Sequence, residues 1–133
     1  GVKIKIIARG TCIIKGGIPG ITDHIEVISI VDKFLEHSRI FAFCNAGDEK
    51  YYISSADWMK RNFDLRIEVA CPIEDKAIQK ELKNILNIQL KDNTKARLLH
   101  HNQYNYYKST PGKNKVRSQE EIYNYLKTKN KTN

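Results

Sequence analysis

The sequence predicts an α/β domain. Three observations carry the prediction: short β-branched runs alternating with period two in the first half, one strongly amphipathic stretch after residue 75, and a helix signature near the C-terminus. At 133 residues the chain has the size of one ordinary domain, so residues 1–133 are expected to fold as a single domain. Hydrophobic residues make up 41% and charged residues 29%, a balance that excludes a disordered tail.

Taken in order, VKIKIIA sets Lys3 and Lys5 against Val2, Ile4 and Ile6, the pattern of a half-buried strand, and places Arg9 near its end. KGGIPG, Lys15 to Gly20, is dense in turn formers but lacks the Gly-Lys-Ser/Thr of a Walker loop and the spacing of a dinucleotide loop, so it reads as an ordinary turn. Ile25 to Val31 reads as a buried strand. His37 to Phe43 is extended, Asn45-Ala46-Gly47-Asp48 is a turn, and Tyr51-Tyr52-Ile53 is the return strand of a hairpin. Arg66 to Cys71 alternates again, with Ile67, Val69 and Cys71 on one face, and Pro72 is expected to end it.

From Asp75 to Leu90, Ile78, Leu82, Ile85 and Leu86 fall on one face of an amphipathic helix, as core packing requires. Asp92 to Leu99 reads as a short helical continuation and Asn102 to Lys115 as polar and irregular. Ser118 to Lys127 reads as a helix capped by Ser118 with Glu121 three residues on, followed by a frayed tail over 128–133.

Three cysteines, Cys12, Cys44 and Cys71, are an odd number at unrelated spacings and read as reduced thiols. The chain has no apolar run near the roughly 18 residues a membrane helix needs, and its start lacks both Met and a signal-peptide layout. It is expected to be a soluble segment cut from a longer chain. The net charge of +8 suits a polyanionic partner. That charge is uneven, with ten Lys/Arg against three Asp/Glu in residues 91–133.

His37 and Arg39 share a face if the strand begins as early as His37, which would set a proton-transfer group beside a fixed fork for phosphate oxygens. On those two residues alone, a surface histidine at a strand start is the weightier reading. Ser54, Ser55, Asp57 and Asn62 form a small-polar cluster that could orient His37 or hold an oxyanion, or could simply cap a helix turn through a serine. Arg9 and Arg66 each border a strand, where arginines can line a site along a sheet edge. His24, His100 and His101 lack partners at metal spacing and read as solvent-facing. Tyr104, Tyr106 and Tyr107, beside Lys108, Lys113, Lys115 and Arg117, have the aromatic and basic mix of single-strand nucleic-acid binders, and packing of a hairpin explains them equally.

SIVDKFLEHSRIFAF followed by YYISSADWMKRNFDLRIEVACPIED closely resembles the C-terminal catalytic domain of bacterial polyphosphate kinases of the phosphohistidine type. The resemblance runs from VKIKIIARGTC through KGGIPG to NTKAR and VRSQEEIYNYL. It implies a phospholipase D-like α/β sandwich, a mixed sheet flanked by helices. His37-Ser38-Arg39 resembles that fold's His-x-Lys motif and Ser54-Ser55-Ala56-Asp57 its serine segment. Arg39 stands in place of the lysine and Cys44 where an acid is expected, which argues against a hydrolytic phosphodiesterase.

The resemblance further implies reversible transfer of the ATP γ-phosphate to inorganic polyphosphate, through a phosphohistidine in a preceding domain absent from this sequence. It gives His37 an acid/base role and Arg9, Arg39 and Arg66 a share in the ATP and phosphate site, supported by Ser54, Ser55, Asp57 and Asn62. Mg2+ would arrive with ATP on ligands outside this segment. The implied partners are ATP and ADP, polyphosphate, the other domains of the same chain and further copies of the parent enzyme. The implied location is the cytoplasm, including the inner face of the membrane, and the isolated segment is expected to be inactive. The rival reading is a non-catalytic basic module that binds polyphosphate or single-stranded nucleic acid.

Overall fold

The computed structural model describes residues 1–112 and 114–129; Lys113 and positions 130–133 of the expected tail lie outside the described residues. The described residues fall into two compact units, one built from Gly1–Leu35 and Leu86 onward, the other from Glu36–Ile85. Both sheets and helices are present, as the α/β prediction requires. Among the described residues no helix is long and apolar enough to cross a membrane.

The first unit holds a four-stranded mixed sheet of β1 (Ile4–Ala8), β2 (Ile25–Ile30), β6 (Ala96–His100) and β7 (Gln103–Tyr107), in that spatial order. β1 runs parallel to β2, while β2–β6 and β6–β7 are antiparallel. β2 is buried on both faces at its centre, with Val27 and Ile28 at 3% and 0% exposure, which suits its β-branched content. Ile28, Ile30 and Ala96 form the core, and Ile7, Leu90 and Leu98 pack against it. The core face of β1 is therefore that of Ile7, opposite Ile28, whereas Val2 and Ile4 of the expected face are exposed. The KGGIPG turn is found as expected. Gly17 lies at φ +75°, and a Cβ there would come within 1.8 Å of the His100 ring, so only glycine fits.

Two departures concern the chain after α2 (Lys76–Lys91). Residues 92–99 do not continue the helix. Asp92, fully buried, accepts the backbone N–H groups of Thr94, Lys95 and Ala96 on Oδ1 at 2.7–3.0 Å and that of Ser118 on Oδ2 at 2.7 Å, which turns the chain into β6. Burial pushes the Asp92 carboxyl up, but its four backbone donors outweigh that and hold it below the usual carboxylate range. The supposedly irregular segment contains β7, an edge strand that tolerates the polar Asn105 through a bulge.

The closing helix, α3 (Ser118–Lys129), runs further than expected and includes Thr128 and Lys129 of the supposed frayed tail. Its expected capping box does not form. Ser118 lies inside the helix with a buried hydroxyl that has no partner, and the Arg117 carbonyl receives the N–H groups of Glu120 and Glu121. Arg117 also grips Asp32, just after β2, through two bonds of 2.8 Å, and this guanidinium holds the Asp32 carboxyl low.

The second unit holds an antiparallel sheet of β3 (Ile40–Phe43), β4 (Lys50–Ser54) and β5 (Ala70–Ile73), with the short helix α1 (Lys60–Asp64) between β4 and β5 and the first part of α2 after β5. The expected hairpin is present, its turn passing through positive φ at Asn45, Ala46 and Gly47. Pro72 does not end the third strand. It sits inside β5, opposite Tyr52, which is tolerated because β5 is an edge. The predicted face of Ile67, Val69 and Cys71 is exposed. Asp75 starts α2 by accepting the N–H groups of Ala77 and Ile78. On its apolar stripe Ile78 is half exposed, and Leu82, Ile85 and Leu86 are only partly buried.

Asp92→Ala leaves four backbone donors without an acceptor and is expected to lower unfolding free energy by about 3 kcal/mol, read as a lower urea midpoint at unchanged slope. The folded carboxyl titrates below its unfolded value of about 3.9. Its contribution is thus present above that value and lost as pH falls through the folded pKa. The gap between wild type and variant should therefore narrow in acid; a gap that persists unchanged there would contradict the role given to this carboxylate.

Candidate functional site

In the second unit, His37 precedes the strand instead of opening it, since β3 starts at Ile40. Strand alternation therefore does not set His37 and Arg39 on one face. They are joined another way: Arg39 Nη1 donates to the His37 carbonyl at 2.9 Å, while Nε donates to Asp57 at 2.9 Å. The guanidinium is thereby fixed by two of its five donors. His37 itself is exposed.

Ser54, which ends β4, and Ser55 after it do not cap α1, whose N-cap position is Met59 with no side-chain bond. They stitch the chain to the segment before β5. Ser54 Oγ accepts the Ala56 N–H at 3.1 Å and donates to the Val69 carbonyl at 3.1 Å. Ser55 Oγ accepts the Val69 N–H at 3.0 Å and donates to the Glu68 carboxylate. The other Glu68 oxygen takes Asn62 Nδ2 at 2.6 Å; Asn62 is buried, and its Oδ1 has no partner.

Glu68 is the residue that sequence reasoning missed. The Ser55 hydroxyl and then the Asn62 amide hold its carboxyl below the usual range, and the nearby Arg66 and Arg39 guanidinium groups add to this. Ser55 and Asn62 thus bond Glu68, Ser54 and Ser55 bond the Val69 backbone, and Arg66 and the Asp57-bound Arg39 lie near enough to lower the Glu68 carboxyl. The sequence hint was the acid in RIEVAC, two residues from Arg66.

Arg9 follows β1 in the other unit and is partly buried there. His24 is exposed, with Nδ1 2.9 Å from Asp23, as its solvent-facing reading requires. His100 and His101 are not solvent-facing: both are partly buried, with ring centroids 4.6 Å apart. Among the described residues no three His, Cys, Asp or Glu side chains are grouped to hold a metal ion.

A separate groove of about 340 Å³ in the second unit contains none of the predicted site residues. Lys76, Lys80 and Lys83 of α2 line it together with Asp48, Glu49 and Tyr51. Lys83 donates to Glu49 at 2.6 Å, and the Tyr51 hydroxyl donates to the same carboxylate at 2.9 Å, which keeps the Glu49 carboxyl low.

Asn62→Ala should cost about 2 kcal/mol of stability, the scale of a lost buried bond to a charged acceptor. Asn62→Asp should be worse at neutral pH, since it sets two carboxylates against each other. One of them then titrates above its unfolded value, so the penalty is absent in acid and appears as pH rises. Urea unfolding of Asn62→Asp from pH 4 to 7 checks this, and a flat profile would remove Glu68 from the centre of the cluster.

With this geometry in hand, comparison with known proteins gives one consistent result. Residues 1–119 match the family described as polyphosphate kinase C-terminal domain 2. Polyphosphate kinase of Vibrio cholerae is 49% identical over 127 residues, covering 96% of this chain and 18% of that protein. Polyphosphate kinase of Thermosynechococcus vestitus is 58% identical over 96 residues, covering 72% of this chain and 13% of that protein. The crystal structure of polyphosphate kinase from Porphyromonas gingivalis superposes with a TM-score of 0.94 at 46% identity, covering 99% of this chain and 20% of that one. The chain spans less than a fifth of the length of these curated relatives. On the extent of the match over residues 1–119, the chain belongs to the polyphosphate kinase C-terminal domain 2 family.

Proposed function

We propose that this chain works as the C-terminal part of a polyphosphate kinase, which moves the ATP γ-phosphate reversibly to inorganic polyphosphate. The observation that carries the reading is the family match over residues 1–119, and the chemistry of the site supports it. Phosphoryl transfer needs positive charge on the equatorial oxygens and an in-line nucleophile. Arg9 and Arg66 supply bidentate forks for phosphate oxygens. Arg39, held by Asp57 and the His37 carbonyl, adds a fixed charge without having to be ordered during the reaction. His37, exposed beside it, exchanges a proton with the phosphorylated nucleophile, a histidine in polypeptide outside this sequence. Asp57 positions Arg39 directly, Ser55 and Asn62 hold Glu68, whose charge lies near both arginines, and Ser54 fixes the Val69 backbone beside it. Mg2+, carried in with ATP, would neutralise charge between the phosphates.

The remaining partners follow from the same reading. Trp58, Phe63, Leu65, Ile67 and Val69 of the second unit are all more than 60% exposed, which suits burial against other domains of a longer chain or a second copy of it. Use of ATP as phosphate donor suits an enzyme of the cytoplasm, including the inner face of the membrane. The rival reading, a basic binding module without catalysis, is favoured by the positive charge of residues 91–133.

Three results test the proposal. In the full-length enzyme His37→Ala should keep nucleotide affinity within a few fold while turnover falls by roughly a hundredfold or more, the usual scale for an acid/base group; near-normal turnover would return His37 to the class of surface histidines. Arg9→Lys should lose most of the activity although the charge is kept, because a point charge does not replace the bidentate fork. The 133-residue chain alone, incubated with labelled ATP, should take up no label; stable label on His37 would make it the nucleophile and reverse the assignment.

A further inference from the structure

The geometry points to a stacking site for single-stranded polynucleotide on the outer strand of the first unit's sheet, formed by the rings of Tyr104 and Tyr107. β7 is an edge of that sheet. Directly opposed residues of an antiparallel pair share a face, and so do residues two apart on one strand. Tyr107 lies opposite Arg97 and Tyr104 opposite Leu99, so both rings project on the face of Arg97 and Leu99. Tyr106, opposite Leu98, projects on the other face. Three residues apart on a regular strand, Tyr104 and Tyr107 would point in opposite directions. They share a face because Asn105, at φ 66°, takes up the extra residue where the register shifts.

A cation lies against each ring. Lys15 Nζ is 5.3 Å from the centroid of Tyr104, and Arg97 Cζ is 4.0 Å from that of Tyr107. Arg97 is held in place by a 2.9 Å bond from Nη1 to the Asn105 carbonyl, so the residue that aligns the rings also orients the guanidinium. The tyrosines are 49% and 55% exposed, leaving ring surface for a further planar group. Two exposed rings on one strand face, each beside a positive charge, match a base and its phosphate repeated along a strand. Inorganic polyphosphate would use the charges and leave the rings idle. None of these residues is placed in the phosphoryl-transfer machinery, so the site goes beyond the kinase reading.

The test is fluorescence anisotropy of a labelled oligouridylate of about a dozen nucleotides, a length within the usual single-strand site sizes, with the full-length enzyme at low salt. Tyr104→Ala and Tyr107→Ala should each weaken binding about tenfold, the scale of one lost base stack, while the Phe variants keep wild-type affinity. ATP-dependent polyphosphate synthesis should be unchanged in all four. Loss of synthesis in the Ala variants would make the rings part of the kinase reaction, and a changed oligomeric state would make them a protein interface; either overturns the proposal. So would Ala variants that bind the oligonucleotide as wild type does, or no wild-type binding at about 10⁻⁴ M, the weak end of non-specific affinity. A second readout needs no variant: photocrosslinks from 4-thiouridine oligonucleotide to the wild-type enzyme should map to the peptide carrying Tyr104 and Tyr107, and crosslinks confined to other peptides also overturn it.

Discussion

Much of the first unit rests on one buried carboxylate receiving backbone N–H groups from two places far apart in sequence. Asp92 ends α2, opens β6 and receives the first turn of α3, so one side chain fixes where a helix stops, where a strand begins and where a second helix docks. A charged acceptor suits this because its donors are fixed amides that lose little entropy on pairing, and together they offset the cost of removing the charge from water. Since β6 pairs with both β2 and β7, any slip at Asp92 would move Ile28, the heart of the core, and Arg97, the anchor of the outer face, together. The Arg117–Asp32 fork adds a second tie between the end of β2 and the start of α3.

The second unit extends a strand ladder with side chains, beside one backbone bond from the Ser55 N–H to the Val69 carbonyl at 3.0 Å. Regular pairing of β5 begins at Ala70, yet the chain is already attached at Glu68 and Val69 through Ser54, Ser55 and Asn62. Side-chain bonds reach further than backbone bonds, and here they leave Arg66 at the rim instead of drawing it into a sheet. Arg39 is paired with Asp57, and both Arg39 and Arg66 lie near Glu68, so within this cluster two guanidinium charges are matched by two carboxylates.

What could be read from the sequence was what repeats. The β-branched alternation of VKIKIIA and IEVISIV and the apolar spacing of α2 gave the main elements, because periodicity is local. What could not be read depended on single residues acting at a distance. Asp92 looked like a continuing helix because its partner Ser118 is 26 residues away. Arg39 looked like a free fork because Asp57 lies 18 residues on. β7 was hidden because Asn102 and Asn105 resemble loop residues, and nothing local reveals that Asn105 forms a bulge. The serines were recognised as a cluster, but their target, Glu68, follows a helix and a turn.

Pro72 in the middle of β5 has a consequence for how this unit meets other molecules. The outer side of an edge strand is an open row of donors and acceptors on which another extended chain can assemble. Proline brings no N–H to that row, and its ring stands where an incoming backbone would have to approach. The sheet is thereby resistant to growth at β5, so copies of this protein, despite the exposed apolar side chains nearby, are discouraged from joining edge to edge into the continuous ribbons from which fibres grow.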